Sequence, residues 1–215
     1  MVSKLALRRF ALALGVLMFL FGAGYAGAQS ESQSESESEA ALLARIEDYL
    51  NAITTMQANF MQVNHDGSIS EGTLVVAKPG LMRIDYQPPM QVRIISDGKW
   101  ITYIDGELGQ VSQAPLNGSH AELLLRDDLR FGGDIAVTAL TRGPGVVEIT
   151  LTRAANPGEG ALTLVFADRP LELRQWAVVD TQGLTTRVTL FDTRFGVAVD
   201  PSLFEAPAPF PDSGK

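Results

Sequence analysis

The chain has 215 residues, 46% of them hydrophobic and 20% charged, with a formal net charge of −8 and no cysteine. A negative balance without a basic cluster excludes a binder of phosphate backbones or anionic headgroups, so no nucleic acid partner is expected. The lack of cysteine excludes disulfide stapling, thiolate metal centres and a lipid anchor of the bacterial lipoprotein type.

Lys4, Arg8 and Arg9 precede an uncharged, mostly apolar run from Phe10 to Ala26, and Ala26-Gly27-Ala28 follows. That order is the pattern of a cleaved signal peptide over residues 1–28, which places the mature protein in the periplasm. Removing those three of the 17 basic residues leaves 14 against 25 acidic ones, a net charge of −11. Residues 29–40, largely SESQSESESE, are too polar to bury surface and are expected to form a disordered spacer. One domain is expected over 41–206, and an irregular Pro-containing tail over 207–215.

From Ala41 to Met56, Leu42, Leu43, Ile46, Tyr49, Leu50, Ile53 and Met56 recur at three- and four-residue spacing, which predicts an amphipathic helix. Eleven strand patterns follow, at 58–64, 69–78, 81–87, 91–96, 99–104, 109–113, 134–140, 146–153, 161–167, 171–180 and 184–194. Turn chemistry such as Asp66-Gly67, Pro79-Gly80, Asp97-Gly98 and Asp105-Gly106 separates them. Hairpin-length connections make the sheet an antiparallel meander, and eleven twisted strands should curl rather than lie flat. The fold class is therefore mainly β: an incomplete antiparallel barrel with two helices. The second helix is expected from His120 to Asp128, where Ser119 and Glu122 have capping-box spacing before Leu123, Leu124 and Leu125. A helix inserted in a meander is expected to lie across the barrel mouth.

Strand parity groups Leu74 and Val76, then Met82, Ile84 and Tyr86, then Val92 and Ile94 on one inward face, with Phe60 on the first strand. Leu123 and Leu124 would close the top. Met82 and Tyr86 stand where a tight core would use Val, Ile or Leu, and methionine repacks around varied apolar guests. Catalytic chemistry is not legible. The two histidines, His65 and His120, lack partners at metal spacing, no nucleophile or phosphate-loop motif occurs, and Asp97-Gly98-Lys99 reads as a hairpin turn. No enzyme activity, cofactor or metal is expected.

Ala58-Asn59-Phe60-Met61-Gln62, Gly72-Thr73-Leu74-Val75-Val76-Ala77-Lys78-Pro79-Gly80, Arg83-Ile84-Asp85-Tyr86, Pro88-Pro89 and Ile95-Ser96-Asp97-Gly98-Lys99 follow the amphipathic helix and precede the Leu-rich short helix. In this order the phrases resemble the LolA family of periplasmic lipoprotein carriers. The resemblance implies helices acting as a lid over an apolar cavity for acyl chains, in a monomer. It implies acylated lipoproteins as cargo, an inner-membrane ABC-type extractor as donor and an outer-membrane lipoprotein as acceptor. It also implies a lid latch at Lys78, where the family pattern has an arginine before the proline. Lysine brings a point charge in place of arginine's planar five-donor fork. A half-barrel lipoprotein sensor, or a carrier of another lipid, remains an alternative reading.

Overall fold

The computed structural model describes residues 28–207. The expected signal peptide lies outside them except for Ala28, and the expected tail lies outside them except for Pro207. The chain divides into two units, Met1–Ala44 and Arg45–Lys215.

Helix α1 is Ala28–Ala52. It runs back through the Ser/Glu-rich stretch, 29–40, expected as a disordered spacer. Glutamate is a good helix former, and acidic side chains suit the positive end of a helix dipole, so composition alone does not forbid a helix there. At its other end α1 stops at Ala52, short of the expected Met56. The sheet takes over at once: Thr54 C=O accepts from the Lys78 amide at 2.8 Å and Thr55 C=O from the Gly196 amide at 3.1 Å. Met56 fits the helical spacing by coincidence and belongs to a strand.

The second unit carries all eleven expected strands: β1 (Thr55–Val63), β2 (Ile69–Ala77), β3 (Leu81–Tyr86), β4 (Val92–Asp97), β5 (Trp100–Asp105), β6 (Gln110–Pro115), β7 (Ile135–Gly143), β8 (Val146–Arg153), β9 (Ala161–Asp168), β10 (Leu171–Val179) and β11 (Thr185–Phe195). They form one antiparallel sheet in the order β6-β5-β4-β3-β2-β1-β11-β10-β9-β8-β7. Only β1 pairing with β11 departs from sequence neighbours. β6 and β7 are edges, so the barrel is open. The hairpin between β4 and β5 is held by the Asp97 carboxylate, which accepts from the Lys99 and Trp100 amides at 2.8 Å each. Asp97-Gly98-Lys99 is thus a turn, with Gly98 at φ +93°.

Helix α2, His120–Leu125, sits between β6 and β7 and is shorter than the expected 120–128. One face of the sheet carries the buried residues Ala58, Phe60, Leu74, Val76, Ile149, Leu151, Leu162, Leu164 and Phe166. The opposite face of β3 and β4 is covered by a 3-10 turn, Pro201–Phe204, with Phe204 buried and Arg83 Nη1 donating to the Leu203 carbonyl at 3.2 Å.

Candidate binding site

An apolar cavity of about 150 Å³ lies between the sheet and the helices. Its walls come from β1 (Met56), β2 (Leu74, Val76), β3 (Met82, Ile84), β9 (Leu162) and β10 (Leu173, Trp176, Val178). In a flat sheet β3 and β9, five strand spacings apart in this order, would stand about 24 Å from each other. Both reach one small cavity, so the sheet is curled around it. Leu50 and Ile53, at and just past the end of α1, close one side, and His120, Ala121, Leu124 and Leu125 of α2 form the roof.

The register explains the wall. Val76 pairs with Met82 and Leu74 with Ile84, so four inward side chains make two adjacent rows. On β10 a shift between Leu173 and Gln175 changes parity, which lets Leu173 and Trp176 face the same way. Strict alternation could not foresee that. On α2, Ala121, Leu124 and Leu125 share a face at i, i+3 and i+4.

Of the expected cavity residues, Leu74, Val76, Met82, Ile84 and Leu124 line this space, as does Lys78. Phe60, Tyr86, Val92, Ile94 and Leu123 are not on its wall. Leu123 is buried, but a helix turns about 100° per residue, which aims it away from the face of Leu124. Ile94 pairs with Ile84 and continues the row outward toward the β6 edge. Phe60 and Tyr86 meet edge-on, ring centroids 5.3 Å apart and planes at 87°, one row beyond Leu74 and Ile84. The wall residues Leu162, Leu173, Trp176 and Val178 are absent from the expected set, although the alternation of Trp176 with Val178 signals them. Leu50, Ile53 and Met56 were legible only as a helical stripe.

The roof is fastened by polar contacts at both ends. Ser119 caps α2, its hydroxyl accepting from the Glu122 amide at 3.2 Å. The Glu122 carboxylate accepts from the Gly118 amide at 2.9 Å, from Arg126 Nη2 at 2.9 Å and from Arg153 Nη2 at 2.6 Å. Arg126 also pairs with Asp134 at 2.6 Å. Burial works against the Glu122 charge, but the Gly118 amide and the two guanidinium groups outweigh it and hold its carboxyl below the ordinary range. At the other end the Leu125 carbonyl accepts from the Gly80 amide at 2.9 Å. Beyond α2, Asn51 exchanges two hydrogen bonds with the Leu129 backbone, at 3.0 and 2.8 Å, and Glu47 accepts from the Phe131 amide.

Lys78 donates from Nζ to the Leu50 carbonyl at 2.8 Å. That carbonyl is in the last turn of α1, where the helix leaves acceptors unpaired and a cation is favoured. The β2–β3 turn therefore grips α1 through Lys78 and α2 through Gly80. Burial pushes the Lys78 ammonium down to about 8, only partly opposed by Asp127. Arg83, on the other parity, pairs with Asp85 at 2.6 Å on the outer face and is not on the cavity wall. His120, on the roof, is held below its ordinary value by burial and by nearby Arg153, against a hydrogen bond with the Gly160 backbone that raises it.

Such a wall offers dispersion and apolar burial, with one ammonium and one imidazole at the margin. No group of three or more His, Cys, Asp or Glu among the described residues is arranged to hold a metal ion. No described helix is long and apolar enough to cross a membrane. Fold and site together define a half-barrel binding protein with a roofed apolar cavity.

Residues 51–207 match the family described as Outer membrane lipoprotein carrier protein LolA, and the chain belongs to that family. The outer-membrane lipoprotein carrier protein of Methylococcus capsulatus is 28% identical over 174 residues, covering 77% of this chain and 83% of the relative. That of Legionella pneumophila strain Paris is 27% identical over 172 residues, covering 76% and 84%. Among solved structures, a LolA superfamily protein from Nitrosomonas europaea aligns with a TM-score of 0.44 at 10% identity, over 76% of this chain and 97% of that one.

Proposed function

We propose that this protein is a periplasmic carrier that shelters lipoprotein acyl chains in the cavity beneath α2 and moves lipoproteins from the inner to the outer membrane. The observation that carries this reading is the apolar cavity, walled by Leu74, Val76, Met82 and Ile84 and roofed by Leu124 and Leu125, in a LolA-family chain. Its cargo would be acylated lipoproteins. An ABC-type extractor would load it at the inner membrane, and a lipoprotein acceptor would unload it at the outer one. The carrier works as a monomer without a cofactor and performs no bond chemistry.

The cavity is small for such a cargo. An apolar cavity of about 150 Å³ holds one benzene ring, far less than an acyl chain. Loading therefore requires the roof to leave the sheet, and the contacts that must part include those of Gly80 with Leu125, of Lys78 with Leu50 and of Arg153 with Glu122. The neutral Gly80–Leu125 bond is a net contribution of about 1 kcal/mol and the charged ones about 1.5–3 kcal/mol each, which the guest must displace.

A carboxylate placed on the wall tests the reading. Met82→Glu and Leu124→Glu should each abolish retention of a lipoprotein released from membranes, with thermal unfolding still cooperative. Retention at the wild-type level by both folded variants would sink the assignment of this cavity.

A further inference from the structure

One row beyond the cavity residues Leu74 and Ile84 an aromatic pair spans three strands. Phe60 pairs with Gly72, and Gly72 pairs with Tyr86, so the three occupy one row across β1, β2 and β3. The rings meet over the strand between them only because Gly72 carries no side chain: a Cβ there would stand 2.7 Å from the Phe60 ring. Phe60 is 2% exposed, and the Tyr86 hydroxyl donates to Gln62 Oε1 at 2.8 Å, which fixes its ring. Burial also raises the Tyr86 phenol above its ordinary value.

The rows on either side differ in kind. Toward the roof the next row is Ala58, Leu74 and Ile84, all apolar. Away from it Gln62 pairs with Ser70, and their polar ends are engaged with Asn64 at 2.7 Å and Met90 at 2.9 Å. An apolar chain pushed past the aromatic pair would have to desolvate an amide and a hydroxyl.

We infer that the Phe60–Tyr86 pair over Gly72 is a depth stop that sets how long an acyl chain the cavity accepts; the inference rests on the acyl-chain reading above. The chain end abuts the face of Phe60, and further methylenes stay outside and add nothing to affinity. Phe60 and Tyr86 are then selectivity residues that measure the ligand and do not wall the empty cavity.

The test is a titration of the full protein with synthetic triacylated cysteine lipopeptides whose chains run from about 10 to about 18 carbons, where each newly buried methylene should tighten binding about fourfold. Wild type should gain affinity up to a break length and then stay level. Phe60→Ala should move the break to longer chains. Tyr86→Leu, which keeps an apolar group and loses the ring, should move it less, and it decides the matter if Phe60→Ala does not fold. No break in wild type, or an unmoved break in the folded variants, overturns the stop. Failure of wild type to bind any of these lipopeptides overturns the acyl-chain reading instead.

Discussion

Lys78 stands between the end of β2 and Pro79 and offers a single ammonium. It makes one hydrogen bond to the end of α1 in a site dry enough to bring its pKa to about 8. An unfolded lysine titrates near 10.5. Between these values the unfolded chain binds the proton that the folded chain has released, so stability rises with pH across the window. The penalty on the buried ammonium is present in full below pH 8 and relieved above it. Urea unfolding of wild type and Lys78→Met from pH 7 to pH 10 should show the difference shifting in the wild type's favour as pH rises. A pH-independent difference would contradict the buried setting. Gly72 is a second single-residue test. An alanine Cβ would overlap the Asp85 carbonyl oxygen, a backbone atom that cannot swing away, so Gly72→Ala should cost about 3 kcal/mol in urea unfolding. The resemblance singled out Lys78, but its contact with the Leu50 carbonyl was not legible, because which carbonyl lies within reach depends on where α1 ends. Phe60 and Tyr86 were legible as inward residues by parity alone. Parity cannot say at which depth along a strand a cavity closes, so their separation from Leu74 and Ile84 had to be seen.

At the scale of elements, the eleven strands were legible because Asp-Gly, Pro-Gly and Pro-Pro turns punctuate them and alternation fills the gaps. The failures have physical causes. The end of α1 was misplaced because Ile53 and Met56 keep a helical spacing while the β1 ladder claims the backbone from Thr54 onward. The bulge in β10 has no local signature, so half of the far wall was invisible. α2 was found by its cap, yet the cap is only part of its fastening. Glu122 serves Gly118, Arg126 and Arg153 together, and Arg126 also pairs with Asp134. Glu122→Ala should lower stability by about 2 kcal/mol and speed hydrogen exchange of the α2 amides ahead of the sheet. Because its carboxyl is held below the ordinary value of 4.5, the contribution is present above that pH and lost as pH falls through the lowered pKa. Wild type should therefore lose stability on the acid side relative to Glu122→Gln. Equal acid profiles would show that the hub is not carrying α2.

For the molecule as a whole, the energetics of the cargo constrain the design. A chain of about 14 methylenes is worth roughly 11 kcal/mol when fully buried. Two or three such chains would approach or exceed the practical limit near −20 kcal/mol, and release would become too slow for a shuttle. On the proposed acyl-chain reading, so small a cavity lowers the net gain, because every chain admitted must first separate α2 and the end of α1 from the sheet. The proposed depth stop would lower it again by leaving part of the lipid outside. The chain's net charge of −8 does not favour adsorption to anionic membranes. The most direct measurement is native mass spectrometry of the protein isolated from periplasm in the absence of detergent. The account predicts a fraction of molecules carrying one acylated lipoprotein, and loss of that fraction in Met82→Glu. A folded wild-type protein that carries no lipid under conditions preserving such complexes, or a Met82→Glu variant that still carries it, would contradict the central claim.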